Sequence, residues 1–256
     1  MTNSYNQKYH ATLTYLEESN SDLVIYKYLP FNFFLQILTS KKIIINSVQN
    51  WEDKYENFLA KIILEHKNGD KTCLSHFIPS FYGQCWTRLR ESDAMWRIYS
   101  VNNLGIRVKS TVNKLLKVSY NESLDRKEST IIRRVGLVEY KNENELVKYI
   151  NEKKPFNQGK FDILDSLFIK RKEFKHEEEI RLIIHKILNI EEQFKGIIPK
   201  NIILDIDINN FIDEVTFDPR LNHDEFLNYC KILKKLDYKN PINQSELYKF
   251  NINVKM

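Results

Sequence analysis

Glycine is scarce in this chain, 6 residues in 256, and proline is equally so at 6. Neither G-x-G-x-x-G nor G-x-x-x-x-G-K-[ST] occurs, which excludes the common phosphate-cradling loops. G-x-S-x-G is absent too, so there is no nucleophile elbow. No Pro/Gly/Ser-rich linker and no internal repeat divides the chain. The three cysteines, Cys73, Cys85 and Cys230, are odd in number and widely spaced. They form no disulfide framework, and the expected compartment is reducing and cytoplasmic. The histidines make no H-E-x-x-H pattern and have no ligand spacing with cysteine, so no metal site is expected. No apolar run approaches the roughly 20 residues of a membrane helix. Met1 to Asn20 lacks the apolar stretch of a signal peptide.

The rest of the composition is that of a globular domain. Hydrophobic residues make up 42%, charged residues 29% and aromatics 12%, enough to fill a sizeable core. The net charge of +5 permits weak attraction to phosphate-bearing ligands. It is far from the clustered basic footprint of a dedicated DNA binder. Strands are predicted at Leu23–Tyr28, Ile43–Asn46, Leu104–Val108, Ile131–Tyr140, Glu178–His185, Ile202–Ile206 and Val215–Phe217. Helices are predicted near Leu13 and Leu16, after Pro30, over Glu56–His66, after Ser92, over Glu143–Glu152 and through Phe226, Leu227, Cys230 and Leu233. Asn121–Glu128 and Asn151–Lys160 read as surface loops. The mixture has no regular βαβ beat, which favours α+β: one domain over 23–240, a mixed central sheet with flanking helices, an N-terminal extension over 1–22 and a C-terminal tail over 241–256.

Five local features carry chemical interest. In Tyr26-Lys27-Tyr28 the lysine interrupts the apolar face of Leu23 and Ile25; it either finds a buried partner or snorkels past the sheet edge. Trp51-Glu52-Asp53-Lys54-Tyr55-Glu56 reads as a helix first turn whose acids answer the dipole. Cys85-Trp86-Thr87 suits a buried thiol better than a nucleophile. In Met95-Trp96-Arg97-Ile98-Tyr99, Trp96 belongs to the core and Tyr99, at the helix end, to a cleft. Finally, Glu177, Glu179 and Arg181 alternate, so a strand would put all three on one face. That face is either solvated or a carboxylate pair held by a guanidinium, an arrangement used where positive charge develops.

In this order and spacing, over roughly residues 23–236, the motifs resemble the bacterial domain-of-unknown-function family 2971: a Y-K-Y strand, the Ile37-Leu38 helix end, Trp51 to Glu56, Cys85-Trp86-Thr87, M-W-x-x-Y with the later Gly105, and E-x-E-x-R. One motif departs, since the family's Asn and Pro are Glu52 and Lys54 here. A weaker resemblance links the basic residue on the first strand and the helix ending in I-L to ADP-ribosyltransferase-like domains. That resemblance implies an ADP-ribosyltransferase-like fold and a toxin or defence effector that cleaves NAD and passes ADP-ribose to a protein or nucleic-acid acceptor. Glu179 and Glu177 would carry the chemistry, while Lys27, Tyr99, Arg181 and Tyr26 would hold the NAD. NAD would be a substrate, with no divalent metal. Lys27 replaces the family's His or Arg and lacks their contact geometry. The residues alone leave two other readings open: a binding module with a charged cleft, and a metal-dependent nuclease using Asp53, Glu56, Glu177 and Glu179.

Overall fold

The computed structural model describes residues 11–14, 22–51, 53, 55–56, 58, 63–65, 68–73, 75–120, 131–153, 163–187 and 198–250. Its strands are, in chain order, β1 (Ala11–Thr14), β2 (Val24–Pro30), β3 (Lys42–Ser47), β4 (Ile63–Glu65), β5 (Lys71–Cys73), β6 (Phe81–Thr87), β7 (Gly105–Thr111), β8 (Ile131–Leu137), β9 (Glu139–Lys141), β10 (Ile169–Arg171), β11 (Glu179–Lys186), β12 (Asn201–Asp205), β13 (Glu214–Phe217) and β14 (Ile242–Gln244). The helices are α1 (Phe31–Ser40), α2 (Asp93–Tyr99), α3 (Val112–Ser119), α4 (Glu143–Lys153), α5 (Ile163–Ser166), α6 (Ile208–Phe211) and α7 (His223–Lys235).

Ten strands form one mixed sheet in the order β1-β8-β11-β6-β2-β7-β13-β14, with β3 beside β6 and β12 beside β3. β1 runs parallel to β8 and β14 parallel to β13; the other ladders of this sheet are antiparallel. Segments expected as N-terminal extension and C-terminal tail thus each add a strand to the sheet. The helix expected through Leu13 is corrected to a strand: Leu13 lies in register with Val135. The helix expected over Glu56–His66 is corrected at Ile63–Glu65, which pairs with β5. In both places sheet pairing outweighs a local helical spacing. The predicted Asn121–Glu128 loop lies outside the described residues, as does the second loop beyond Lys153; Asn151–Lys153 closes α4.

One face of the sheet carries the main core. Ile25 and Leu29 of β2, Ile106 and Val108 of β7, and Ile180, Leu182 and Ile184 of β11 pack there against Phe34 of α1, Leu115 of α3, Phe211 of α6 and Leu233 of α7. The other face holds two smaller clusters. Ile183 packs with Val48, Phe81, Leu167 and Phe168, and Tyr28 packs with Met95 and Trp96 of α2. β11, between β6 and β8, is therefore buried on both faces.

The edge of β6 opposite β11 is shared by two different strands. β3 pairs with it at Tyr82 and Gly83, and β2 touches it only where Tyr26 meets Thr87. Between those points, Gln84, Cys85 and Trp86, paired with β11 on their other side, meet no strand on this edge among the described residues. The sheet parts there, and the candidate site lies at the parting.

Candidate functional site

β2 presents Lys27 to the gap. Its Nζ donates to the Cys85 carbonyl oxygen at 2.7 Å, so the ammonium finds a main-chain acceptor at the split. Burial pulls the Lys27 pKa down, against the attraction of Cys85 and Glu179. Lys27 borders two spaces: an apolar groove with Leu29, Phe34 and Phe211, and a slot of about 70 Å³ lined also by Tyr26, Cys85, Tyr99, Glu177 and Glu179. Burial pushes the Cys85 thiol up to about 12, which keeps it protonated and unreactive.

Tyr99 reaches the slot from the end of α2. Ser92 caps this helix by accepting from the Met95 N–H, and Trp96 anchors it edge-on to Tyr28 with ring centroids 4.8 Å apart. Arg220 donates to the Trp96 carbonyl at 3.2 Å. Tyr99 and Glu177 also line a larger cleft of about 650 Å³, shared with Asp53, Tyr55, Lys170, Arg171 and Phe174. That volume is within the usual range for small-molecule sites. Burial raises the Tyr99 phenol to about 12, so it stays neutral.

Glu177 and Glu179 meet at the floor between slot and cleft. They do not alternate along one strand, as expected. Glu177 ends the turn Lys172–Glu177, and Glu178 follows with φ of 41°, a left-handed conformation uncommon for a residue with a Cβ. That kink brings both carboxyls onto Lys170, whose Nζ donates to Glu177 at 2.6 Å and to Glu179 at 2.8 Å. Glu56 lies 3.4 Å from the same ammonium. The second Glu179 oxygen accepts from Arg181 Nε at 2.6 Å, and the Glu179 N–H donates to the Tyr140 hydroxyl.

The two carboxyls are driven apart in acidity. Burial raises Glu177, a hydrogen bond to Glu179 adds to it, and its pKa is pushed up to about 7. Glu179 is also penalised by burial, but Arg181, the Glu177 hydrogen bond and Lys170 outweigh that and hold it below the usual range. At neutral pH Glu177 is about half protonated while Glu179 is ionised.

Arg181, expected to contact the ligand, is wholly buried beneath Glu179. It pairs with Glu56, donates to the Leu167 carbonyl at 2.7 Å and lies 4.5 Å from the centre of the Trp51 ring. The Trp51 ring in turn rests on Gly83, where an added Cβ would collide with it. Arg181 therefore acts on Glu179 and not on a ligand. Tyr26 borders the slot, with the Arg107 guanidinium 5.1 Å from its ring centre. Sequence reasoning missed Lys170, hidden in a basic run that reads as a solvated face. It gave Asp53 and Glu56 a helix-dipole role or, in the nuclease reading, a metal-binding one, whereas they pair with Arg171 and Arg181. Of the carboxylates considered for a nuclease, Glu56, Glu177 and Glu179 come together around the Lys170 ammonium, which fills the position a cation would take, while Asp53 pairs with Arg171. Among the described residues no cluster is arranged to hold a metal, and no helix is long and apolar enough to cross a membrane.

No curated protein matches the chain. Three solved structures of DarT from Thermus sp. 2.9 align at 10% identity and a TM-score of 0.39. They are the complex with NAD+ (91% of this chain, 98% of that one), with ADP-ribosylated ssDNA (91% and 97%) and with carba-NAD+ (90% and 98%). The family described as protein of unknown function (DUF2971) matches residues 95–182, the stretch from M-W-x-x-Y to E-x-E-x-R, and bears out the resemblance over that third of the chain.

Proposed function

We propose that the cleft binds NAD, and that the protein cleaves its nicotinamide–ribose bond and transfers ADP-ribose to an acceptor. The observation carrying this reading is that Lys27, Tyr99 and Glu179 line one slot at the parting of the sheet, opening through Tyr99 and Glu177 into a cleft of nucleotide size. Glu179, fixed on a rigid strand and held ionised by Arg181 and Lys170, is placed to stabilise the positive charge that grows on the ribose as the bond breaks. Tyr99 offers a neutral ring for stacking on nicotinamide. Lys27 supplies a donor at the split. Glu177, poised near neutrality, is suited to take the acceptor's proton as the new bond forms. The bonding pair leaves with nicotinamide, and the acceptor's lone pair replaces it.

One observation favours a binding module without turnover: both Glu179 oxygens are already engaged by cations. Glu179→Gln separates the two readings. Release of nicotinamide from NAD by the wild type, reduced on the order of a hundredfold or more in the variant at matched folded fraction, supports catalysis. Equal rates remove Glu179 from the mechanism, and no release by either protein with varied acceptors favours the binding module.

A further inference from the structure

The outer cleft contains a cation that the chemistry above leaves unused. Arg171, at the end of β10, is gripped by Asp53 through two parallel contacts, Nε to one carboxylate oxygen at 3.2 Å and Nη2 to the other at 3.1 Å. The Asp53 side chain is only 7% exposed, so it holds the fork in a fixed orientation. The guanidinium carbon lies 4.7 Å from the centre of the Tyr55 ring and 5.3 Å from that of Phe174. Among the described residues no acceptor meets Nη1, with its two N–H donors, and the side chain remains 38% exposed. All four of these residues line the cleft of about 650 Å³. A guanidinium whose rotamers are locked by a carboxylate and two rings has lost its ordering entropy before any ligand arrives.

The surrounding charge agrees. The turn Lys172–Glu177 brings Lys172, Lys175 and His176 to the surface beside Arg171, with Glu173 the one exposed acid of the turn. On the opposing side Asp53 is spent on Arg171, while Glu56 and Glu177 are buried against Lys170. The cleft mouth therefore favours an anion.

We infer that Arg171 is the anchor for the diphosphate of a nucleotide lying in the outer cleft, with the sugar beyond the diphosphate reaching Tyr99 and Glu177 at the slot. The inference rests on the NAD reading and names the group by which that ligand is held. Calorimetric titration of the whole protein with ADP-ribose, and separately with inorganic pyrophosphate, tests it. Arg171→Gln should weaken ADP-ribose binding by about tenfold to a hundredfold, as expected for loss of charge-assisted hydrogen bonds. Arg171→Lys should fall between, since it keeps the charge but not the fork. The double variant D53N/R171Q, which leaves no lone carboxylate buried, guards against a loss due to misfolding and should match R171Q. Wild-type affinity in folded R171Q, or no binding of ADP-ribose by the wild type, overturns the anchor. Arg171-dependent binding of an oligonucleotide without ADP-ribose binding also overturns it. If R171Q keeps its NAD turnover and KM, the anchor falls and the NAD reading stands. If pyrophosphate binds through Arg171 and ADP-ribose does so too, yet NAD is neither bound nor consumed, the anchor stands and the NAD reading falls.

Discussion

Of the guanidiniums buried in this sheet, Arg181 on β11 and Arg107 on β7 each sit between two carboxylates. Arg181 has no exposure and Arg107 about as little, at 2%. Their partners differ. Glu56 and Glu179 are 9% and 7% exposed, whereas Glu91 and Glu214 are 30% and 22% exposed. The Arg107 carboxylates keep part of their water, and Glu91 spreads its bonds over Trp96 Nε1 and Ser245 as well as Arg107. The Arg181 carboxylates have given up their water and depend on two cations. The difference teaches that desolvation, not the count of charges, ties a carboxylate to its cation: the dry pair has no water to fall back on.

The largest test of that contrast is stability. Arg181→Met should destabilise by about 3–5 kcal/mol in urea unfolding, because it leaves the dry Glu56 and Glu179 to share the single cation Lys170. Arg107→Met should cost about 1–3 kcal/mol, since Glu91 and Glu214 can turn to solvent. Equal losses would dissolve the distinction.

A smaller effect sharpens it through pH. Glu177 has a folded pKa above its unfolded value, so its stabilising contribution is fully present below about pH 4.5 and is lost as pH rises through about 7. Glu179 has the opposite sign, contributing above its unfolded value and losing that as pH falls. Glu177→Gln should therefore flatten the decline in melting temperature between about pH 5 and 8. Turnover of the wild type should rise as pH passes about 7, and the variant should lose that rise. An unchanged melting profile would mean that Glu177 titrates as an ordinary surface acid. The smallest effect is expected at the exposed pair Arg88–Glu178, whose side chains are 45% and 42% exposed. Arg88→Ala should shift stability by no more than about 0.5–1 kcal/mol, although Glu178 lies between the two site glutamates.

The parts of the molecule written in local pattern were legible from sequence. Ile180, Leu182 and Ile184 alternate with Glu179, Arg181 and Ile183 along β11, and all three are fully buried. Pro30 opens α1 and Ser92 caps α2, as their chemistry requires. β6 was not foreseen, because Gly83, Gln84 and Cys85 dilute its β character. The ion cluster was half legible. Glu179 with Arg181 follows from alternation, but Arg171 meets Asp53 across 118 residues and Arg181 meets Glu56 across 125. Such pairs leave no spacing to read. Nor does the kink at Glu178, which turns Glu177 inward by backbone geometry and not by period.

The parting between β2 and β3 along β6 has a further consequence. A cavity roofed by a loop must be held open against collapse and breathes with the loop. This one is a missing rung in a ladder whose uprights are pinned on both sides by other strands. Its floor therefore inherits the stiffness of the sheet, and its width is set by strand spacing and not by side-chain choice. Residues at the rim can be exchanged without moving the walls, so specificity can drift while the aperture stays fixed.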